Sequence, residues 1–331
     1  MKAKPRVPGR EGQPSGSLTQ ATVWYQEIIA RMRSFLGLII LAVAVTILTP
    51  VFLTPHNLLN VARQSSINAV LAAGQTFVIL TGGIDLSVGS IAAVGSIVST
   101  DLAVKGLPIP IAMLGGLTMG ALMGAVSGVL VARTKIPAFI VTLGMLNIGR
   151  GVNYLWTGAR VVSNLPSGFG VLGRGDLLGM PAPVVIMITV YVLGYVVLTQ
   201  TKFGRSLYAI GGNIEAAKLS GIGVRNCLLL VYMISGGLAA IGGLVLAGRL
   251  NSGQPEAGVG YELDSIAAVV IGGTSLFGGE GGIGGTLIGA FVMGVLRNGL
   301  NLLNVSAFWQ QIAIGAVVIG AVGVDTLRKR D

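Results

Sequence analysis

The ionisable and nucleophilic side chains are few, and their spacing bears on what chemistry the chain can perform. His56 is the only histidine and Cys227 the only cysteine, so a metal site or a nucleophilic triad built on either lacks partners of the right type. No metal-binding or catalytic residues are expected. No G-x-x-x-x-G-K-[ST] sequence occurs and no lysine follows a glycine, so the chain has no phosphate-cradling P-loop. Any ATP, with its magnesium, would be bound by another subunit, and this chain is expected to carry no cofactor of its own. Gly279-Glu280-Gly281-Gly282-Ile283-Gly284 fits G-x-G-x-x-G. It lacks the acidic residue expected about 20 positions later in a dinucleotide site, and close helix packing explains it better.

Asp85 is the most informative carboxylate. It stands at the edge of an apolar run, in Gly82-Gly83-Ile84-Asp85-Leu86-Ser87-Val88-Gly89, and a carboxylate near a membrane span faces a cavity or a partner. Two roles stay open for it: lining a polyol path together with Ser87, or capping a helix that begins at Leu86. Gln64, Asn68 and Gln75 recur at i, i+4 and i+11, close to one helical face, and supply the amide donors and acceptors that sugar hydroxyls need. Membrane helices also use such groups to bond one another. Asn147, Arg150, Asn153 and Tyr154 repeat the pattern further along.

The elements that hold these residues follow from composition. Of 331 residues, 53% are hydrophobic and 10% charged, and 52 are glycine. So little charge excludes a largely disordered chain, and one cysteine excludes a disulfide-stapled domain. Continuous apolar runs such as 35–53 exclude the alternating segments of a membrane β-barrel. The fold class is all-α and polytopic. With about 20 apolar residues per span, helices are expected near 35–53, 58–80, 84–104, 109–131, 138–156, 183–199, 227–247, 262–278, 283–303 and 307–324. Residues 1–34 form a basic tail, in which 22–33 could lie as an interfacial helix with Trp24 and Tyr25 at the headgroups; residues 35–331 form the membrane domain.

Ten spans place both termini on one side. Fifteen lysines and arginines then share that side against four on the other, with Arg63, Arg150 and Arg297 within or beside spans. The positive-inside rule makes the rich side cytoplasmic. The net charge of +10 thus reflects orientation in the bilayer, and no basic patch interleaved with aromatics points to nucleic acid.

Two further patterns suggest a transporter. Gly82, Gly83 and Gly89 align with Gly272, Gly273 and Gly279 at an offset of 190, both halves reading G-G-x-x-L-x-x-G after a hydrophobic run. Internal repeats with broken helices are common in transporters, so two related halves are expected. Residues 202–225 form a long cytoplasmic loop, in which Ile214 to Leu219 makes a short helix capped by Asn213 and ended by Gly221. Ala216 and Ala217 on that helix are small enough to let another protein approach closely.

At this loop the chain resembles the permease subunits of bacterial ABC importers of the ribose and xylose type. Four stretches carry the resemblance: GGIDLSVGS at 82–90, KIPAFIVTLG at 135–144, AIGGNIEAAKLSGI at 209–222, and GGTSLFGGEGGIGGTLIGA at 272–290. The end, Gly299 to Leu303 followed by Phe308-Trp309-Gln310-Gln311, is also similar. The resemblance implies a pair of permeases in the bacterial inner membrane, two identical copies or two paralogues. It also implies a cytoplasmic ATPase subunit and a periplasmic sugar-binding protein. By the same resemblance Gly212, Asn213, Ala216, Ala217 and Gly221 lie in the element that docks on the ATPase. Glu280 among the glycines and Arg297 within a span depart from the family pattern. A stand-alone secondary sugar transporter is the alternative reading. It would ordinarily carry more intramembrane ionisable groups than this chain does.

Overall fold

Proline and glycine set most of the helix limits. In the computed structural model, residues 34–328 are described; the expected tail and interfacial helix lie outside them. The helices are α1 (Ser34–Leu48), α2 (Pro55–Leu80), α3 (Val88–Val104), α4 (Ile109–Arg133), α5 (Ala138–Thr157), α6 (Val171–Arg174), α7 (Ala182–Gln200), α8 (Lys202–Gly212), α9 (Ile214–Leu219), α10 (Val224–Leu250), α11 (Tyr261–Ile271), α12 (Ile283–Leu302) and α13 (Ala307–Arg328). Pro55, Pro110 and Pro183 sit in first turns, where a missing N–H costs nothing. Asp176–Leu177 and Met180–Pro181 pair as a two-residue hairpin, β1 and β2.

A helix occupies each stretch where a span was expected, with three revisions. The first ends at Leu48, short of 53. The third begins at Val88, leaving 81–87 unwound, and the eighth stops at Ile271, leaving 272–282 as turns. Both unwound stretches are the repeated glycine sequences, whose backbone conformations break a helix. Among the described residues, four helices (α4, α7, α10 and α12) are long and apolar enough to cross a membrane; α1, α3 and the first part of α13 are apolar but shorter. The chain is an α-helical membrane protein.

Small residues bring the inner helices to backbone contact. α3 is almost wholly buried and packs on α4, α5 and α10. α10 crosses α4 where Gly124 and Gly236 face each other, and Gly243 meets the Ala92 carbonyl of α3 so closely that a methyl group would overlap it. Without a hydrophobic gain between spans, such approach is what binds membrane helices. Polar pairs lock α2 to α12: Asn57 and Asn298 exchange amide hydrogen bonds of 3.0 and 2.8 Å, and Thr76 meets Thr286 at 2.8 Å.

Candidate functional site

Unwound backbone inside a membrane survives only where other groups satisfy its polar atoms, and the 81–87 break is served from three helices. The Gln75 amide of α2, oriented by its partners, donates to the Asp85 carbonyl at 3.1 Å and accepts from the Asp85 N–H at 3.2 Å. Thr142 Oγ1 of α5 donates to the Ile84 carbonyl at 3.0 Å. Ser235 Oγ of α10 donates to Asp85 Oδ2 at 2.8 Å. Asp85 Oδ1 accepts from the Ser87 N–H at 2.9 Å and from the Ser87 hydroxyl. Gly82 takes the left-handed conformation, φ +78°, that lets the chain leave α2 so sharply.

This geometry removes one of the two roles left open for Asp85. The helix starts at Val88, with Ser87 as its cap, so Asp85 does not cap a helix at Leu86. It is fully buried and, with Gln75, Ser87 and Ser235, holds the break together. Gln75 is likewise fully buried and committed to this task. Gln64 and Asn68 lie on the same helix face as Gln75 but are half-buried, and Asn68 Oδ1 has no partner among the described residues. Asn153 is buried, with Nδ2 3.4 Å from the Ser90 carbonyl and Oδ1 unpartnered among the described residues. Asn147 is exposed and returns its amide to Leu143 at 3.0 Å. Of the expected amide set, Gln75 fastens the break and Asn147 faces outward from α5, while Asn153 packs against the start of α3 and Gln64 and Asn68 stay half-buried on α2.

The second break is built alike and touches the first. The Ser275 N–H donates to the Glu280 carbonyl at 3.1 Å, and the Gly279 N–H to the Leu80 carbonyl, the last residue of α2, at 3.0 Å. A methyl on Gly278 would crowd the Gly82 backbone, and one on Gly279 would crowd Gly212. Gly211 of α8 is wedged against both Leu80 and Gly279, with no room for any side chain. Tyr208 of α8 donates to the Gly281 carbonyl at 3.0 Å. The two glycine sequences thus meet at one point, and the end of α8 lies against both. On the far side of the first break, the start of α3 meets the start of α11: Gly89 approaches the Gly258 carbonyl and the Glu262 carboxylate too closely to admit a side chain.

Residues 202–225 differ from a loop with one short helix. Thr201 caps an eleven-residue α8 by accepting from the Gly204 N–H at 3.1 Å, an added helix that the basic, glycine-spaced sequence does not announce. α9 is as expected: Asn213 Oδ1 accepts from Glu215 N and Ala216 N at 3.0 and 2.9 Å. Its end is closed by Gly221 N to Lys218 O and Ile222 N to Ala217 O, the paired bonds of a Schellman motif, with Gly221 at φ +80°. One assignment changes. Ala217 is buried against Ile210 and Val224 and is closed to any partner, whereas Ala216 is exposed beside Ile214 and Leu219. Leu219 is 91% exposed. Asn213 and Gly212 are exposed too.

Residues outside the expected set also matter. Asp264 is buried and accepts from Arg297 of α12 at 2.6 Å. Glu262 and Asp264 are acids in an apolar stretch, the same signal that singles out Asp85. Arg297 is therefore a paired cation between helices and not a mark of a span edge.

Discontinuous helices, backbone-close packing and a helical hairpin against the breaks define a membrane permease. Residues 57–322 match the family described as "Branched-chain amino acid transport system / permease component", and the chain belongs to that family. Among characterised proteins it is 46% identical over 308 residues to the ribose import permease protein RbsC of Bacillus subtilis, covering 92% of this chain and 96% of that protein. It is 38% identical to the D-allose transport system permease protein AlsC of Escherichia coli (88% and 90% covered). It is 37% identical to the xylose transport system permease protein XylH of the same organism (84% and 87% covered). No solved structure matches it.

Proposed function

We propose that this chain is the membrane subunit of an ATP-binding-cassette importer that moves a monosaccharide, of the pentose or aldohexose class, across the bacterial inner membrane. The family description names amino acids, but the similar chains are named for ribose, allose and xylose, and uncharged amide and hydroxyl groups suit sugars. The permease domain is 35–331, with ten spans in two related halves and both termini in the cytoplasm. The exposed cations Arg133, Lys135, Lys202, Arg205, Lys218 and Arg225 agree with that orientation. ATP and magnesium are bound by the separate ATPase. A periplasmic binding protein delivers the sugar to a passage between two permeases, which are two copies of this chain.

The observation that carries the mechanical part is the seating of α8 against both glycine breaks. α9, with Gly212, Asn213, Ala216, Leu219 and Gly221, receives the ATPase. α8 passes its displacement to the point where the two breaks meet, and the spans rock between two access states as rigid bodies. Gln75, Asp85 and Ser87 keep the unwound segment intact while it moves; Gln64, Asn68, Asn147 and Asn153 remain path residues in this reading.

The test is stimulation of ATP hydrolysis. The purified complex of this chain with its ATPase, in lipid nanodiscs, should hydrolyse ATP several-fold faster when the sugar-loaded binding protein is added. A rate indifferent to the binding protein, with every sugar tried, would overturn the proposal.

A further inference from the structure

Cations on the cytoplasmic side of a membrane protein follow from its orientation, but two of them here share one cleft. Between the end of α4 and the start of α10 lies a space of about 420 Å³, lined by Val129, Ala132, Arg133, Arg225, Asn226 and Leu229. It ends where the helices come into backbone contact: a methyl on Gly128 would crowd the Leu229 backbone, and one on Gly124 the Tyr232 carbonyl. No carboxylate lines the cleft. The ion pairs among the described residues use Arg63, Lys105, Lys218 and Arg297, so neither arginine of the cleft is neutralised by one, and both are exposed. The last turn of α4 is closed by Thr134, whose N–H and hydroxyl donate to the Leu130 carbonyl at 3.0 and 2.7 Å. Arg133 is not needed there. α10 opens at Gly223 without a side-chain cap, and such a helix start favours an anion.

The cleft is apolar on its membrane side. Val126 and Leu122 stand two and three turns from Arg133 on α4, and Leu230 and Met233 one and two turns past Asn226 on α10. All four are exposed. Seven residues of helix rise about 10 Å, so Val126 and Met233 meet acyl chains when the guanidiniums sit among the headgroups. A fitting ligand therefore has an anionic group at one end and hydrocarbon at the other. A bare ion is too small, since a water-sized body takes about 30 Å³, and it would leave the apolar wall uncovered.

Resting on the cytoplasmic orientation proposed above, we infer that this cleft binds the phosphate headgroup of an anionic phospholipid from the cytoplasmic leaflet. Arg133 and Arg225 hold the phosphate through charge-assisted hydrogen bonds. The Asn226 amide bonds the headgroup hydroxyls, and the acyl chains lie along Val126 and Met233. Basic pockets between membrane helices at this face suit such headgroups. The lipid ties the end of α4 to the start of α10, next to the turn where Ala217 of α9 packs on Val224.

Native mass spectrometry of the purified, delipidated chain tests this, with dioleoyl phosphatidylglycerol and dioleoyl phosphatidylcholine as probes. One phosphatidylglycerol should bind at least ~10-fold tighter than phosphatidylcholine. Arg133→Gln combined with Arg225→Gln should weaken that binding ~30-fold, about fivefold for each cation. Lys135→Gln, which removes an exposed cation outside the cleft, should change it less than ~3-fold. Ala132→Glu keeps both arginines, places a carboxylate in the cleft and should abolish the preference for phosphatidylglycerol. Millimolar glycerol 3-phosphate should leave the lipid bound; full displacement would give the site to a free phosphate and overturn the lipid assignment. Equal binding of the two lipids would overturn the inference. Equal losses in the Lys135→Gln and double-arginine chains would do the same, because the general surface field would then hold the lipid. Lipid binding untouched by the arginine changes, with more ATPase needed to half-saturate hydrolysis, would assign the cleft to the ATPase instead. Reaction of Lys135→Cys, in a Cys227→Ser background, with an impermeant thiol reagent outside intact cells would contradict the proposed orientation and leave the binding to the cleft standing.

Discussion

Leu219→Asp isolates docking of the ATPase from stability of the permease. Leu219 is 91% exposed at the end of α9. The helix is fixed without it, by Asn213 at the start and by the Gly221 and Ile222 bonds at the end. Burying a leucine side chain at an interface contributes about 2 kcal/mol, so removing it should weaken ATPase binding about 30-fold. Desolvating the new carboxylate adds to the loss. The assay is the concentration of purified ATPase that half-saturates hydrolysis on nanodiscs bearing the permease, read beside the melting temperature of the permease alone. The expected result is a large rise in the first and a change of no more than about 2 °C in the second. Ala217→Arg makes the contrast. Ala217 is packed against Ile210 and Val224, so the arginine should lower the melting temperature by itself and says little about docking. An unchanged half-saturation for a well-folded Leu219→Asp chain would refute the placement of the ATPase on this helix.

Three further outcomes follow from the packing. Gly243→Ala, whose methyl overlaps the Ala92 carbonyl, should cost about 1–3 kcal/mol of stability, whereas Gly237→Ala, with its nearest neighbour 3.9 Å away, should be neutral or slightly stabilising; thermal melts in detergent compare them. Asp85→Ala strands the Ser87 N–H and two serine hydroxyls, at about 1–3 kcal/mol for each buried group left unpaired, while Asp85→Asn keeps an acceptor and should be milder; equal melting points would contradict this role. Arg297→Leu leaves the buried Asp264 carboxylate alone and should destabilise by about 3–5 kcal/mol, with Asp264→Leu added to it restoring most of the loss in a double-mutant cycle.

Much of this was legible in residues taken one at a time. The apolar runs placed most helices to within a few residues, because twenty apolar residues in a membrane protein have few alternatives; the misses fall at the glycine breaks and at the end of α1. Asn213 and Gly221 announced α9, since a cap and a left-handed stop are local demands met by residue type. Long-range relations were hidden. Nothing in the sequence pairs Gln75 with Asp85, or seats Gly211 between Leu80 and Gly279, because these contacts depend on how distant helices cross. Ala217 was misjudged because a six-residue helix is too short for its buried face to show as a pattern. Glu262 was visible as an acid in an apolar run, but its position opposite Gly89 required the fold.

Whether a separate ATPase drives a sugar through this chain is measured by radiolabelled D-ribose, D-xylose and D-allose accumulation in liposomes containing the chain and its ATPase. ATP is enclosed inside, and the binding protein is supplied outside. The expected result is uptake against a concentration gradient that stops when the ATP, the ATPase or the binding protein is withheld. Accumulation by this chain alone, driven by a proton or sodium gradient, would contradict it.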